Sequence, residues 1–211
     1  MVKTAFITIA FLVIGSNAWA TMEEDVTRVR EEWERIKYQL PPKEQESAFE
    51  KLAKESEKTM AQFPTHAEPA IWHGIVEASY AGAKGGLGAL SLAKSARQSF
   101  ERALAINAKA LEGSSYTSLG SLYCQVPGWP LGFGDDKKAL ELLQKGLALN
   151  PAGIDSNYFY GDCLYRTRDY SGAEQALRKA QQAPLRPGRK LADDGRHKEI
   201  DELLLKIRDK K

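Results

Sequence analysis

The stretch that decides the fold has two parts, Tyr116-Thr-Ser-Leu-Gly-Ser-Leu-Tyr123 and Ala139-Leu-Glu-Leu-Leu-Gln-Lys-Gly-Leu-Ala-Leu-Asn-Pro151. Apolar residues recur at helical spacing in both parts, and a segment rich in proline and glycine separates them. Gly120 stands inside the first predicted helix, where glycine costs about 1 kcal/mol relative to alanine and so indicates a close helix crossing. Ala139 on the second helix would be the small residue that faces it. The stretch therefore predicts two antiparallel helices in tight contact.

The same pattern occurs in two further segments. Gly74 and Gly161 occupy the place of Gly120 on their own predicted first helices. Each second helix carries a small, a large and a small residue at steps of four and three: Ala96, Phe100 and Ala103; Ala139, Leu143 and Gly146; Ala173, Leu177 and Ala180. Three copies in a common register predict a repeat array, in which each helix pair buries its apolar face against its neighbours.

These residues resemble the tetratricopeptide repeat. Its first helix carries an aromatic residue, Leu-Gly and Tyr, and its second carries Ala, Phe, Ala and Pro. The best match is given by Tyr116, Leu119, Gly120, Tyr123, Ala139, Leu143 and Pro151, and the resemblance covers residues 66–184. It implies an all-α fold of antiparallel helix pairs stacked as a short right-handed superhelix, with the first helices lining a concave groove.

The chain departs from that pattern by two insertions, 81–89 and 126–136, both at the turn between the two helices of a repeat. We expect both to lie at the same edge of the stack. Residues 81–89 are rich in glycine but lack the terminal Gly-Lys-Ser/Thr order and the preceding strand of a nucleotide-binding loop, so a flexible connection is expected there.

The predicted organisation has four parts. Residues 1–20 read as a signal peptide, 21–64 as a degenerate N-terminal helical pair, 65–184 as three repeats, and 185–211 as an extended loop followed by a C-terminal capping helix.

The N-terminus has the three parts of an export signal. Lys3 precedes an apolar run, 5–14, which is followed by Ala18-Trp19-Ala20. We expect cleavage after Ala20 and a periplasmic product. The run is too short to span a bilayer, which takes about twenty residues, and no cysteine at the cleavage site could carry a lipid. Membrane insertion of the mature chain is therefore not expected.

Charge and cysteine content narrow the function further. Without Lys3 the chain has 29 Lys plus Arg against 28 Asp plus Glu, a balance that argues against a nucleic-acid partner. Cys124 and Cys163 could pair in an oxidising compartment, but their spacing matches no zinc site. We favour buried free thiols and leave the disulfide as the alternative.

Two sets of residues are candidates for binding a partner. Trp129 and Phe133 lie in the second insertion, where they could form an apolar wall or fold back over the helix ends, with Asp135 capping the next helix. The resemblance also implies groove-facing residues on two first helices: Thr117, Ser121, Tyr158, Asp162, Tyr165 and Arg166.

Catalysis has little support in the sequence. The three histidines form no metal-binding pattern, and no serine stands in a nucleophile-elbow context. We expect no catalytic residues, no metal and no cofactor. The sequence favours a periplasmic scaffold that binds a protein or peptide.

The alternative is a solute-binding accessory of a transport system, with a small-molecule ligand. The segment Phe133-Gly-Asp-Asp-Lys-Lys-Ala139 is similar to part of the T component of tripartite ATP-independent periplasmic transporters. The oligomeric state is open.

Overall fold

The structure, a computed structural model, describes residues 21–210 apart from the side chain of Leu87. The predicted signal peptide, residues 1–20, lies outside the described residues. The α-helices of the described part are α1 Met22–Gln39, α2 Pro42–Gln62, α3 Ala67–Lys84, α4 Gly86–Asn107, α5 Ser114–Gln125, α6 Asp136–Leu149, α7 Ile154–Arg166, α8 Tyr170–Gln181 and α9 Lys190–Arg208. A short 3₁₀ turn, Ala110–Gly113, precedes α5. The predicted all-α fold of stacked helix pairs is confirmed.

Capping residues and proline fix several helix ends. Thr21 and Glu24 form a capping box, because the Thr21 hydroxyl accepts from the Glu24 backbone N–H and the Glu24 carboxylate accepts from the Thr21 N–H. Pro42 occupies the first position of α2, where a missing N–H costs nothing. The Asp135 carboxylate accepts from Lys138 N at 3.0 Å and caps α6, which is the capping role expected of it.

Small residues allow the helices of each pair to cross closely, as the sequence predicted. A methyl group at Gly120 would lie 2.7 Å from Leu143 Cγ and 2.9 Å from the Ala139 carbonyl oxygen. A methyl group at Gly161 would meet Leu177 and Ala173 in the same way. Because separations below 3 Å cannot be accommodated without movement of the backbone or the packed leucine, the repeat requires glycine at these positions.

The first insertion is helical, and the expected flexible connection is wrong. Helix α3 continues to Lys84 and α4 begins at Gly86, so only Gly85 separates them. Both Gly85 and Gly86 have positive φ, which lets the chain reverse in one residue. Ala81, Ala83, Leu87 and Ala89 favour helix, and they outweigh Gly82 and Gly88, which do not. The additional residues therefore lengthen α3 and α4 to 18 and 22 residues, against 12 and 14 for α5 and α6.

The helices form two layers, and the inner layer closes into a ring. Helices α1, α3, α5 and α7 are the inner layer and contact one another in that order, while each outer helix packs on the inner helix before it. Helix α9 contacts both α7 and α1. The inner layer is therefore a ring of five helices, because the C-terminal helix returns to the first one.

Cys124 and Cys163 form a disulfide, so the preference for free thiols is wrong. Their Cα atoms are 5.8 Å apart, and they join α5 to α7. Sequence spacing does not reveal this pairing. The stack places α5 and α7 side by side, and the two cysteines face each other across that contact.

We predict that reduction of this disulfide destabilises the protein. The closed segment spans 39 residues, for which the chain-entropy relation gives about 4 kcal/mol. Urea denaturation with and without dithiothreitol measures the difference. A Cys124→Ser, Cys163→Ser double variant is the control, because its stability should be low and insensitive to the reductant. Equal stability of the oxidised and reduced parent would contradict the prediction.

Candidate binding channel

A cavity of about 1350 Å³ runs through the ring of inner helices. We call it the central channel. Residues of the first and the last turns of α5 and α7 both line it, from Ser114 to Gln125 and from Ile154 to Arg166. The channel therefore extends along the whole length of these helices.

One wall of the channel is aromatic. Trp33 on α1 and Trp72 on α3 line it with their ring centroids 6.0 Å apart. Trp33 Nε1 donates to Ser79 Oγ at 2.8 Å, which satisfies the indole N–H and fixes the ring. Each ring is less than a tenth exposed, so this wall presents a small and fixed apolar surface to the channel.

The wall formed by α5 is polar. Thr117, Ser118, Ser121 and Gln125 line the channel at helical spacing. Gln125 Nε2 donates to Ser121 Oγ at 2.8 Å, so these two side chains support each other. Hydroxyl and amide groups can both donate and accept, which suits a ligand with N–H and C=O groups.

Charged side chains on α7 and α9 line the channel in paired form. Arg166 Nε donates to Asp162 at 2.8 Å. The Arg196 guanidinium stacks 4.2 Å from the Tyr158 ring centroid and 4.6 Å from that of Phe159. Burial raises the pKa of Tyr158 to about 12, so its hydroxyl stays neutral and can donate a hydrogen bond at any physiological pH.

The channel is closed by residues 184–189, which we call the closing segment, together with α9. Arg189 Nε donates to Glu34 on α1 at 2.7 Å, and its guanidinium lies 5.5 Å from the Trp72 ring centroid. A side chain at Gly195 would collide with the Tyr38 ring, so α9 approaches α1 as closely as glycine permits. These contacts join the two ends of the repeat array.

An ion-pair network holds the closing segment on α7 and α9. Arg186 pairs with both Asp155 and Asp193 at 2.6 Å, and Arg196 donates to Asp155 at 2.8 Å. Burial by itself would raise the pKa of Asp155, but the guanidinium groups of Arg196 and Arg186 hold it well below its ordinary value. Asp155 therefore remains ionised and bridges two arginines.

The structure brings most of the predicted groove residues together. Thr117, Ser121, Tyr158, Asp162 and Arg166 all line the central channel. The remaining groove residue and the two aromatic loop residues are placed elsewhere: Tyr165 packs against Tyr170, Phe133 packs against Tyr123, and Trp129 projects into solvent.

The sequence interpretation missed the contribution of α1, α3 and the closing segment. On α3 the lining residues include Glu68, Trp72, Ile75, Ser79 and Gly82 at steps of three and four, with Ala78 and Ala83 beside them. Their helical spacing could have been used to predict which face of α3 lies inside the stack. The closing segment carries no such periodicity, so only the structure assigns Arg189 to the channel.

The described part of the chain offers neither a metal site nor a membrane span. No three His, Cys, Asp or Glu side chains within residues 21–210 are grouped so as to hold a metal ion. Over the same range, no helix combines the length and the apolar character needed to cross a bilayer.

Comparison with solved structures identifies the fold. The structure of TTC0263, a thermophilic TPR protein of Thermus thermophilus, matches with a TM-score of 0.59 at 15% identity, over 89% of this chain and 86% of that chain. The chain has a tetratricopeptide-like fold. At this identity the likeness concerns the fold alone. The closure of the ring is a feature of this chain's own helix contacts.

Other matches have lower TM-scores. MamA of Desulfovibrio magneticus RS-1 matches at 15% identity with a TM-score of 0.46, over 90% of this chain and 96% of that chain. PilF of Pseudomonas aeruginosa matches at 16% identity with a TM-score of 0.37, over 88% and 93%. No family model and no curated protein matches the sequence. The similarity to a transporter T component is not shown by these comparisons.

We predict that the ion pair between Glu34 and Arg189 keeps the ring closed. Their side chains are 6% and 17% exposed, and removing one partner of a buried pair costs about 3 kcal/mol or more. Glu34→Gln should lower the melting temperature and raise amide hydrogen exchange in the N-terminal turns of α9. Differential scanning calorimetry and hydrogen-exchange mass spectrometry measure these effects.

Glu32→Gln is the matched control for this prediction. Glu32 lies on the same helix but pairs with Arg35 within α1, at the surface, where an ion pair contributes at most about 1 kcal/mol. It should leave exchange in α9 unchanged. Equal effects of the two substitutions would show that the Glu34 pair has no special part in closing the ring.

Proposed function

We propose that this protein is a periplasmic binding or scaffold protein of the tetratricopeptide type that holds an extended polypeptide segment in its central channel. The observation that carries the proposal is the ring closure, which turns the concave groove into a channel with two walls of different chemistry. We expect no turnover.

The dimensions of the channel suit a polypeptide strand. The 12-residue helix α5 lines it from end to end, which corresponds to a length of roughly 18 Å. About five residues of extended chain would span that length. A short extended segment of a partner could therefore bind along the channel, as a scaffold function requires.

The walls indicate what kind of segment would bind. Trp33 and Trp72 would contact apolar side chains of the segment, and the α5 hydroxyl and amide groups would bond to its backbone. Most ionic groups of the lining are already paired with each other, as in the pairs of Arg166 with Asp162 and of Arg189 with Glu34. This balance favours a segment of low net charge, since a charged one would have to displace existing pairs.

The volume of the channel is large enough for a short polypeptide segment. Sites for small molecules and cofactors usually have volumes of about 300–1,000 Å³, and the channel exceeds that range with about 1350 Å³. The solute-binding alternative has no separate observation in its favour, and it enters below as an outcome of the test.

The periplasmic part of the proposal rests on the sequence of residues 1–20. The capping box of α1 supports a boundary at this place, because Thr21 and Glu24 supply all of its groups. Cleavage after Ala20 would leave the cap of α1 complete.

The channel proposal is tested by peptide selection and tryptophan fluorescence. In a Trp129→Phe background cut before Thr21, the remaining tryptophans are Trp33 and Trp72, both in the channel wall. Neutral ten-residue peptides selected on the parent protein should shift this emission. Ser118→Phe, which places a ring in the channel, should weaken peptide binding at least tenfold.

Ser47→Phe on α2 is the control for this experiment, because Ser47 is exposed and lies outside the channel lining. It should leave peptide affinity unchanged. If no selected peptide depends on position 118, the channel is not the binding site. If native mass spectrometry instead finds a small molecule that Ser118→Phe releases, the solute-binding interpretation replaces the scaffold proposal.

Export is tested separately, by expressing the full chain in a Gram-negative host. We predict that the periplasmic fraction contains a protein whose intact mass corresponds to residues 21–211 with one disulfide. Retention of residues 1–20, or recovery only from the cytoplasm, would contradict the localisation.

A further inference from the structure

The loop between α5 and α6 is held in one conformation by its own backbone hydrogen bonds. We call residues 127–134 the Trp129 loop. Leu131 N donates to Gly128 O at 3.1 Å and Gly134 N donates to Pro127 O at 2.9 Å, while Asp135 N returns the chain to Tyr123 O at 3.1 Å. A side chain at Gly134 would collide with the Val126 carbonyl oxygen, so the loop closes tightly at its base.

The large apolar side chains of the loop are divided between an anchor and an exposed tip. Phe133 packs edge-on against Tyr123 with centroids 5.4 Å apart, and the Arg97 guanidinium lies 4.6 Å from its ring centroid. Trp129 and Leu131 are 89% and 74% exposed. The sequence left open whether both aromatic rings would fold back, and only Phe133 does so.

This exposure is notable against the rest of the described chain. Trp33 and Trp72 are less than a tenth exposed, and among the described side chains, which do not include that of Leu87, the only other large apolar one of comparable exposure is Leu185, at 70%. Two neighbouring large apolar side chains that are held in water by an ordered loop do not stabilise the fold. Such an arrangement indicates a contact with something outside the chain.

The surroundings of the loop are cationic. Residues 78–100 of α3 and α4 contain Lys84, Lys94 and Arg97 and no acidic residue, and residues 113–134 contain no charged residue at all. Lys94 is exposed and lies one helical turn from Arg97, on the same face of α4. Lys137 and Lys138 follow the loop, together with Asp135 and Asp136. Lys84 pairs with Glu46 on α2, and Arg97 lies 3.8 Å from Glu101 on its own helix. Lys94 and Lys137 form no ion pair with the described residues, so their charges are available to a partner outside the chain.

We propose that the Trp129 loop docks this protein on the surface of an anionic lipid bilayer. Trp129 and Leu131 enter the headgroup region, and Lys94 and Lys137 bind the lipid phosphates. Tryptophan is favoured at this depth because its ring is apolar and its N–H can stay hydrogen-bonded. Apolar insertion combined with basic residues is the usual basis of reversible binding at a membrane surface.

The shape of the tip favours a bilayer over a protein partner. Trp129 and Leu131 project from a convex turn, and each is surrounded by solvent on most sides. A protein would need a pocket shaped for both side chains, whereas a bilayer interface accommodates them without one. The docking site is also independent of the central channel, since neither residue lines it.

The test measures binding of the chain from Thr21 to vesicles of phosphatidylglycerol and phosphatidylethanolamine in equal parts. Because Trp33 and Trp72 line the channel and lie outside the loop, a change in emission that is lost when Trp129 is replaced reports Trp129. A blue shift with cosedimentation is expected for these vesicles, weakened by added salt and absent with phosphatidylcholine alone. Inorganic phosphate without lipid should leave the emission unchanged, which separates a bilayer from a free anion as the ligand.

Three variants distinguish the parts of the surface. Trp129→Ser with Leu131→Ser should reduce cosedimentation at least tenfold, and so should Lys94→Glu with Lys137→Glu. Leu185→Ser is the control, because Leu185 is also exposed but belongs to the closing segment, and it should bind like the parent. Circular dichroism checks that each variant is folded.

The following results would overturn the proposal: equal binding to anionic and neutral vesicles, full binding by the Trp129 and Leu131 variant, or a shift caused by phosphate alone. Absence of vesicle binding together with a Trp129-dependent complex with a protein would replace the bilayer with a protein partner. Ser118→Phe should bind vesicles normally, so failure of this proposal and failure of the channel proposal remain distinguishable.

Discussion

The contact between the first helix and the segment after the last repeat is the constraint on which the rest of this structure depends. Glu34 and Arg189 are separated by 155 residues of chain, yet they form a buried ion pair. Helix α9 adds a close approach of Gly195 to Tyr38. A stack of helix pairs has two free ends and an open groove. Here the ends meet, and the groove becomes a channel.

The closure combines non-directional and directional forces. Apolar burial holds each helix pair together, as the crossings at Gly120 and Gly161 show, and it also packs Ile200, Leu203 and Ile207 of α9 against the last repeat. The ion pairs of Arg186, Arg189 and Arg196 add direction to this contact, because a guanidinium group held between carboxylates accepts one geometry. The disulfide between Cys124 and Cys163 fixes α5 against α7. The wall of the channel is thus held by covalent and ionic links in addition to packing.

The two proposed sites use different physical properties of the fold. The central channel is concave and mixed in polarity, and its ionic groups are already paired, which suits a polypeptide of low charge. The Trp129 loop is convex, apolar at its tip and surrounded by basic residues, which suits an anionic interface. A protein that carries both could hold a partner segment beside a membrane surface.

The sequence by itself determined the repeat unit. Gly74, Gly120 and Gly161 and their partners on the second helices follow from helical period and side-chain volume, which are local properties. The inner position of Thr117, Ser121, Tyr158, Asp162 and Arg166 follows from the resemblance to a known repeat. The stripe on α3 was equally available, although the sequence interpretation did not use it.

The tertiary structure determined how the repeats are arranged and how the two ends of the array meet. Continuation of α3 and α4 through the glycine-rich segment, the pairing of the two cysteines, the separate positions of Phe133 and Trp129, and the closure by Arg189 could not be predicted from the sequence. Each depends on which residues meet after many turns of helix have been stacked, and small rotations between successive pairs accumulate along the array. Periodicity determines which face of a helix is buried, but the sum of those rotations determines whether the two ends of the array meet.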